Sequence, residues 1–414
     1  MSRIVVLGAG ASYGATQDRP VPCPLVNWFF DAAERLGLVQ RAFAGLTPDT
    51  MEAEIQAAGG DIRGVVPDWN ASKQGAHLDA LLGLVHEQLG IAPRSYLDLP
   101  IDVERIMGLI EAELLGVHSM RRLTGEQTTL MGSPADHLEQ QMYFIICGVL
   151  VKAAGKLGCP NHDAIARWLR PEDAVISFNY DLLMDRALRA RPDWSPARSY
   201  MMPFTRVGRR HGEEVEWLPP PTSQSGRPPV PLYKPHGSLN WLVPRDPWQT
   251  NLNVQLDVNS PERIARSNAI QRVVYHLQDL NSDFERDFPL LEWWGRYEHE
   301  QDDYSFDLHS LIVPPAITKP YRDLEPVVGH LWAFMQHELV SRCTELYLIG
   351  YSLREADLRS SWLFRKAAID GTIERVVVVD PSDDVYARVQ NVFGAHRVER
   401  AEGGIVEFAG SLPG

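Results

Sequence analysis

Two short stretches carry residue types that can do chemistry. Val175-Ile-Ser-Phe-Asn-Tyr-Asp181 passes from apolar and small residues into Asn179, Tyr180 and Asp181, and an amphipathic run, Leu182 to Leu188, follows at once. That is the pattern of a buried strand turning into a helix, where an open α/β sheet places its ligand groups. Tyr233-Lys-Pro-His-Gly-Ser238 sets a lone imidazole, His236, between Pro235 and Gly237. The segment is too stiff and too short to be a helix interior. An amide and an imidazole on separate loops above one sheet predict chemistry on a sugar.

The elements that must position these residues follow an alternating rhythm. Ser2 to Leu7 reads as a first strand running straight into Gly8-Ala-Gly-Ala-Ser12 and Gly14. Such a strand-to-helix glycine loop can bring backbone N–H groups to a phosphate, or can be a tight turn that packs a helix on a sheet. The spacing is GxGxxxG, not the dehydrogenase GxGxxG, and no acid closes a second strand about 20 residues on. Pro20, Pro22 and Pro24 prevent any helix there, so a loop beside the glycine turn is expected before a helix from Leu25 to Leu38. Further strands are expected over Ala174 to Phe178, Ser238 to Val243, Ser310 to Val313, Glu345 to Ile349 and Val376 to Val379. Helices are expected over Asp163 to Leu169, Glu325 to Leu339, Arg354 to Ala368 and Asp383 to Val392. An all-valine strand is buried on both faces, hence part of a parallel sheet. The fold class is therefore α/β, a doubly wound, mostly parallel Rossmann-like sheet with a helical insertion lobe.

Four strand ends share a chemistry: Gly8 to Ser12, Asn179 to Asp181, Gly350 to Ser352 and Asp380 to Ser382. In a parallel sheet they lie along one edge. The Asp380 carboxylate can accept from ribose hydroxyls, and Ser352 can contact a phosphate or ribose. Each alone reads equally well as a turn residue or helix cap. Together they favour a dinucleotide.

Residues 1–39 and 160–414 are assigned to the sheet domain, 40–159 to a helical insertion, and 245–308 to a second insertion. Within the first insertion, Asp102 to Leu115 and Pro134 to Leu157 have helical periodicity. His77, His86, His118, His137 and His162 have no partner at ligand spacing and read as surface or core histidines. The net charge of −14 argues against a nucleic-acid coat. The start of the chain lacks the pattern of an export signal, and Met142 to Val151 is too short to span a membrane. The four cysteines (Cys23, Cys147, Cys159 and Cys343) form no CxxC pair, which excludes a four-cysteine zinc site and agrees with a reducing cytoplasm.

Gly8-Ala-Gly-Ala-Ser12, Phe178-Asn-Tyr-Asp181, Lys234-Pro-His-Gly-Ser238, Ile349-Gly-Tyr-Ser-Leu353 and Val379-Asp-Pro381, in that order, resemble the sirtuin-like NAD-binding family of bacterial proteins, which includes anti-phage defence effectors. The resemblance implies that Gly8, Gly10, Ala11, Ser12, Gly350, Ser352 and Asp380 bind NAD, and that Asn179, Asp181 and His236 serve the reaction. Sirtuin deacylases carry a four-cysteine zinc module that helps form the acyl-lysine cleft. Its absence turns the expectation toward hydrolysis of NAD, as substrate, to nicotinamide and ADP-ribose, with no metal.

In that reaction Asn179 can orient a water and His236 can act as general base or hold a ribose hydroxyl. Asp181 can orient the imidazole, hold the ribose or cap the next helix. A non-catalytic NAD or ADP-ribose sensor and an NAD-dependent deacylase are the alternatives. An unregulated NADase would be toxic, so control by assembly is expected. The resemblance implies a homo-oligomer and a nucleic-acid-handling partner, such as a HerA-like ATPase or a short Argonaute.

Overall fold

A computed structural model describes residues 2–36, 103–108, 110, 134–155, 158–201, 204–208, 227–244, 273–276, 296–299, 302–313, 321–354 and 357–413. The chain divides into two compact units. One comprises Met1–Asp18, Ala154–Val313 and Pro320–Gly414, and the other Arg19–Ala153 and Pro314–Lys319.

The first unit is built on a six-stranded parallel sheet with the order β11-β10-β9-β1-β2-β4. Its strands are β1 (Ser2–Leu7), β2 (Ala174–Ser177), β4 (Leu232–Tyr233), β9 (Cys343–Ile349), β10 (Arg375–Val379) and β11 (Val398–Arg400). Every residue of β1 is buried, because the strand is paired on both sides and covered on both faces. Ile4-Val-Val suits that place: β-branched side chains fit a pleated surface covered on both faces. Val376 to Val379 in β10 are buried for the same reason.

The direction of winding reverses at β1. From β1 the chain passes to β2 and then β4. From β9 it moves the other way, to β10 and β11. Right-handed crossovers therefore put the connecting helices on opposite faces. Helices α1 (Ala9–Ala15), α4 (Pro160–Trp168), α5 (Leu183–Arg189) and α10 (Ile405–Ser411) form one contacting group, and α7 (Tyr321–Ser341), α8 (Leu358–Asp370) and α9 (Asp383–Phe393) the other; the short α6 (Pro196–Ser199) follows α5 in the chain. This is the doubly wound Rossmann-like arrangement. Its switch point lies between β1 and β9, so the loops after these strands, Gly8 onward and Gly350 onward, flank the crevice where such sheets bind ligands.

A second sheet in the same unit has the order β3-β6-β5-β8-β7. Its strands are β3 (Phe204–Gly208), β5 (Gly237–Pro244), β6 (Val273–His276), β7 (Arg296–His299) and β8 (Asp302–Ile312). Ser238 to Val243 forms strand as expected, and so does Ser310 to Ile312 of the expected Ser310 to Val313; the two are antiparallel neighbours in this second sheet. A short strand with no covering helix on either side looks the same in sequence whichever sheet it joins. The chain steps from β4 to β5 through the turn that carries His236.

The division between the compact units falls after Asp18, while the sequence assignment puts the first boundary after residue 39. Arg19 donates to the Ala153 carbonyl at 3.0 Å, at the end of α3 (Pro134–Ala154). Lys152 of α3 donates to the Leu36 carbonyl at 3.3 Å, just after α2 (Phe29–Arg35). Residues 103–108 are helical as expected. Most of the 40–159 insertion and of the 245–308 insertion lies outside the described residues. The strand β11 and helix α10 were not expected: Val398–Arg400 is only three residues long, below what periodicity can register. Among the described residues no helix is long and apolar enough to cross a membrane.

Candidate functional site

The loop after β1 is packed backbone-to-backbone against the loop after β9. Gly8 N–H donates to the Ile349 carbonyl at 3.1 Å, and Gly10 N–H donates to the Gly350 carbonyl at 3.0 Å. A Cβ on Gly8 would stand 2.4 Å from the Gly350 oxygen, and one on Gly350 would stand 2.0 Å from the Ala11 nitrogen. Gly350 also has φ +57, a left-handed conformation that favours glycine. These glycines are required first by the protein's own crossing. Gly10 and Ala11 N–H are both committed inside the loop, Ala11 to the Gly8 carbonyl at 2.9 Å. The exposed Ala9, at the head of α1, presents an N–H that makes no hydrogen bond among the described residues.

A hydrogen-bonded chain then joins this loop to the end of β2. Asn179 Nδ2 donates to the Gly8 carbonyl and to Ser12 Oγ, both at 2.9 Å. The carbonyl can only accept, which fixes the amide's orientation. Ser12 Oγ donates onward to Asp181 Oδ2 at 2.6 Å. Asp181 Oδ1 accepts from the Leu183 N–H at 3.0 Å, an Asx turn into α5. Of the roles open for Asp181, turning the chain into the helix is realised, and both its oxygens accept from groups other than His236. The donor side of the Asn179 amide is used in holding the glycine loop. Its Oδ1, which makes no hydrogen bond among the described residues, is the atom that can meet a ligand or water.

His236 sits third in a β-turn closed by a 2.9 Å bond from the Gly237 N–H to the Lys234 carbonyl. Proline is favoured at the second position of such a turn. Gly237 has φ +88, and a Cβ there would stand 1.9 Å from the Leu311 oxygen, so β5 can enter the second sheet only with glycine.

Lys234 anchors the turn. It is fully buried, donates to the Asp181 carbonyl at 2.7 Å and pairs with Asp185 at 3.0 Å. Asp185 also accepts from Tyr200 at 2.5 Å, Tyr200 accepts from Asn240 at 3.2 Å, and Asn240 accepts from Ser238 at 2.6 Å. The Leu239 N–H donates to the Tyr180 carbonyl at 3.1 Å. The two stretches singled out in the sequence are therefore bonded to each other.

The His236 ring meets Phe178 edge-on at 5.0 Å, and Phe178 stacks on Tyr351 at 4.6 Å. Asp357, ahead of α8, lies 3.5 Å from His236 Nε2 through its Oδ2. Neither Asp357 nor Lys234, Asp185, Tyr200 and Asn240 stands out as a site residue in the sequence. The available signal was Lys234 itself, a charged residue inside an otherwise apolar strand end.

Ser352 and Asp380 follow the neighbouring strands β9 and β10, and among the described residues no hydrogen bond links them to the Asn179 chain. Leu353, next to Ser352, holds φ +46, strain of the kind that collects in ligand loops. The Ser352 hydroxyl makes no hydrogen bond among the described residues, while its carbonyl accepts from Arg388 at 3.1 Å. Asp380 Oδ1 accepts from the Ser382 N–H at 2.9 Å. Burial pushes the Asp380 carboxyl up, against the lowering effects of that bond and of Arg400 and Arg388.

No protein-family model matches this chain, and comparison with curated proteins gives no significant match.

Proposed function

We propose that the chain hydrolyses NAD to nicotinamide and ADP-ribose. The observation that carries this is the meeting, at the switch point of a doubly wound sheet, of the Gly8–Gly350 loops, the Asn179–Ser12–Asp181 chain and the His236 turn. The residues fit a dinucleotide: an exposed N–H at Ala9, a hydroxyl at Ser352 and a part-exposed carboxylate at Asp380 for the phosphates and ribose, with an amide oxygen and an imidazole for the sugar carbon.

Cleavage of the nicotinamide–ribose bond leaves the bond's electron pair on the pyridinium nitrogen, so nicotinamide departs neutral and needs no acid. A water forms the new bond to the ribose carbon and loses a proton, through an oxocarbenium-like transition state. Asn179 Oδ1 accepts one hydrogen of that water and His236 takes the proton. Phe178, Tyr351 and Trp332 supply an apolar wall that limits other water. The finer reading is a gated, cytoplasmic anti-phage effector of the sirtuin-like kind. It would act as a homo-oligomer with a HerA-like ATPase or other nucleic-acid-handling partner, and its assembly would control NAD depletion.

One observation favours a second reading, a sensor that binds NAD or ADP-ribose without cleaving it: Asn179 and Asp181 are both engaged in holding loops. The deciding experiment is nicotinamide release from NAD by the purified chain, wild type against His236→Ala, alone and with lysate of infected cells. Release that requires His236 supports hydrolysis. NAD binding with no release in any condition moves the sensor reading ahead.

A further inference from the structure

We propose that Asp357 is the positioning residue of His236, fixing which ring nitrogen carries the proton and stabilising the ring when it is charged. The catalytic consequence rests on the hydrolase reading; the positioning itself does not.

Asp357 is held from its own side. Its N–H donates to the Arg354 carbonyl at 3.1 Å, its carbonyl accepts from Ser361 at 2.9 Å, and its Oδ1 caps α8 by accepting from the Ser360 N–H at 3.4 Å. The second oxygen, Oδ2, is turned to His236 Nε2 at 3.5 Å, and the two side chains are only 12% and 9% exposed. One carboxylate thus divides its oxygens between a helix end and an imidazole.

Among the described residues, the other groups near the ring have the following engagements. Phe178 and Trp332 are apolar walls, with Trp332 centred 6.4 Å away. Arg359 lies over the Trp332 ring at 4.7 Å, across that ring's π face. The Tyr180 hydroxyl donates to the Val313 carbonyl at 2.7 Å. Lys234, on the same turn, is paired with Asp185, and Asp181 accepts from Ser12 and Leu183. The Tyr351 phenol is pushed up by burial and by the Asp357 charge, so it stays neutral.

A carboxylate at Nε2 favours the tautomer with the proton there and leaves the Nδ1 lone pair to accept one. The logic is that of an acid orienting a catalytic histidine, with the two ring nitrogens exchanged. In a poorly solvated setting the charge also stabilises the imidazolium formed by proton transfer.

Helix capping alone would also select Asp at this position, but Asn and Ser cap about as well. The test therefore uses Asp357→Asn and Asp357→Ser in the full chain. The ring 15N shifts and titration of His236 are followed by NMR, assigned with His236→Gln, alongside pH profiles of nicotinamide release.

Positioning predicts that both variants keep the wild-type urea midpoint. Their His236 should lose the Nε2–H preference and bind its proton about tenfold more weakly. Turnover should fall on the order of 10²-fold, with the acid limb moving to lower pH because the ring stays neutral further down. A His236 titration and tautomer identical in all three proteins overturns the proposal, even if wild type releases nicotinamide. If the titration shifts as stated while no protein releases nicotinamide, positioning stands and the hydrolase reading falls.

Discussion

Ser12 and Asp181, 169 residues apart in the chain, share a buried hydrogen bond of 2.6 Å. It closes a chain from the Gly8 carbonyl through Asn179 and Ser12 to the start of α5. The glycine loop and the β2–α5 turn therefore move as one body, and the Asn179 amide oxygen is aimed by contacts on its other side.

Ser12→Ala removes the link at its centre. Asp181 Oδ2 is left buried without its donor, and Asn179 Nδ2 keeps only the Gly8 carbonyl. The expected cost is about 1–3 kcal/mol, the range for a buried polar group stripped of its partner. Urea unfolding measures it. Nicotinamide release should fall further than stability does, because the amide is no longer held. A variant as stable and as active as wild type would show the chain to be incidental.

Gly350→Ala strikes the crossing of the two ligand loops. The new Cβ would stand 2.0 Å from the Ala11 nitrogen, at a backbone φ of +57. Both conflicts are with backbone, which cannot swing aside, so the loss should exceed the 1–3 kcal/mol typical of overpacking (an approximate range). Gly410→Ala, where a Cβ meets nothing within 4 Å, is the control. It lies in α10 and should be neutral or stabilising by up to ~1 kcal/mol. Thermal melts of the pair decide whether the glycine loop is built for packing as well as for ligands.

Lys234→Met tests the network beneath the His236 turn. Lys234 and Asp185 are 0% and 1% exposed, so removing the cation strands a buried carboxylate. Breaking such a pair costs about 3–5 kcal/mol, whereas replacing both partners by apolar residues is often far milder. The double variant Lys234→Met/Asp185→Leu should therefore recover much of the stability. It should not recover activity, since the bond from Lys234 to the Asp181 carbonyl stays lost and the turn is free to drift. Equal activity of the double variant and wild type would remove Lys234 from the positioning of the site.

The residues that punctuate this chain were readable because local rules fix them. Pro235 and Gly237 announce a turn, the valines of β10 announce a doubly covered strand, and Gly8 announces a tight strand-to-helix passage. What was not readable depends on partners far away in sequence. Nothing local says that Asp357 faces His236, 121 positions earlier in the chain, or that Ser238 to Val243 joins the second sheet rather than the parallel one. Lys234 is the intermediate case. A lysine among Leu232, Tyr233 and Pro235 must be buried and so must have an acid, but only the fold identifies that acid as Asp185.

Asp380 gives the pH-dependent prediction. Burial raises its carboxyl above the ordinary 3.8, outweighing the Ser382 N–H and the two arginines. A folded value above the unfolded one means that the native state favours the protonated form. The contribution to stability is then fully present below the unfolded value and is lost as pH rises through the folded one. Asp380→Asn stays neutral throughout and can still accept from the Ser382 N–H. It should therefore gain stability relative to wild type between about pH 4 and pH 7, with no gain at lower pH. NAD affinity should run the other way. Ribose hydroxyls bind the ionised carboxylate best, so wild-type affinity should drop as acidification protonates Asp380, at a pH above the ordinary carboxylate value, and the Asn variant should bind weakly at every pH. Urea unfolding and NAD titration calorimetry across that range check both halves. A variant that is less stable at neutral pH yet binds NAD as well as wild type would make Asp380 a turn residue and nothing more.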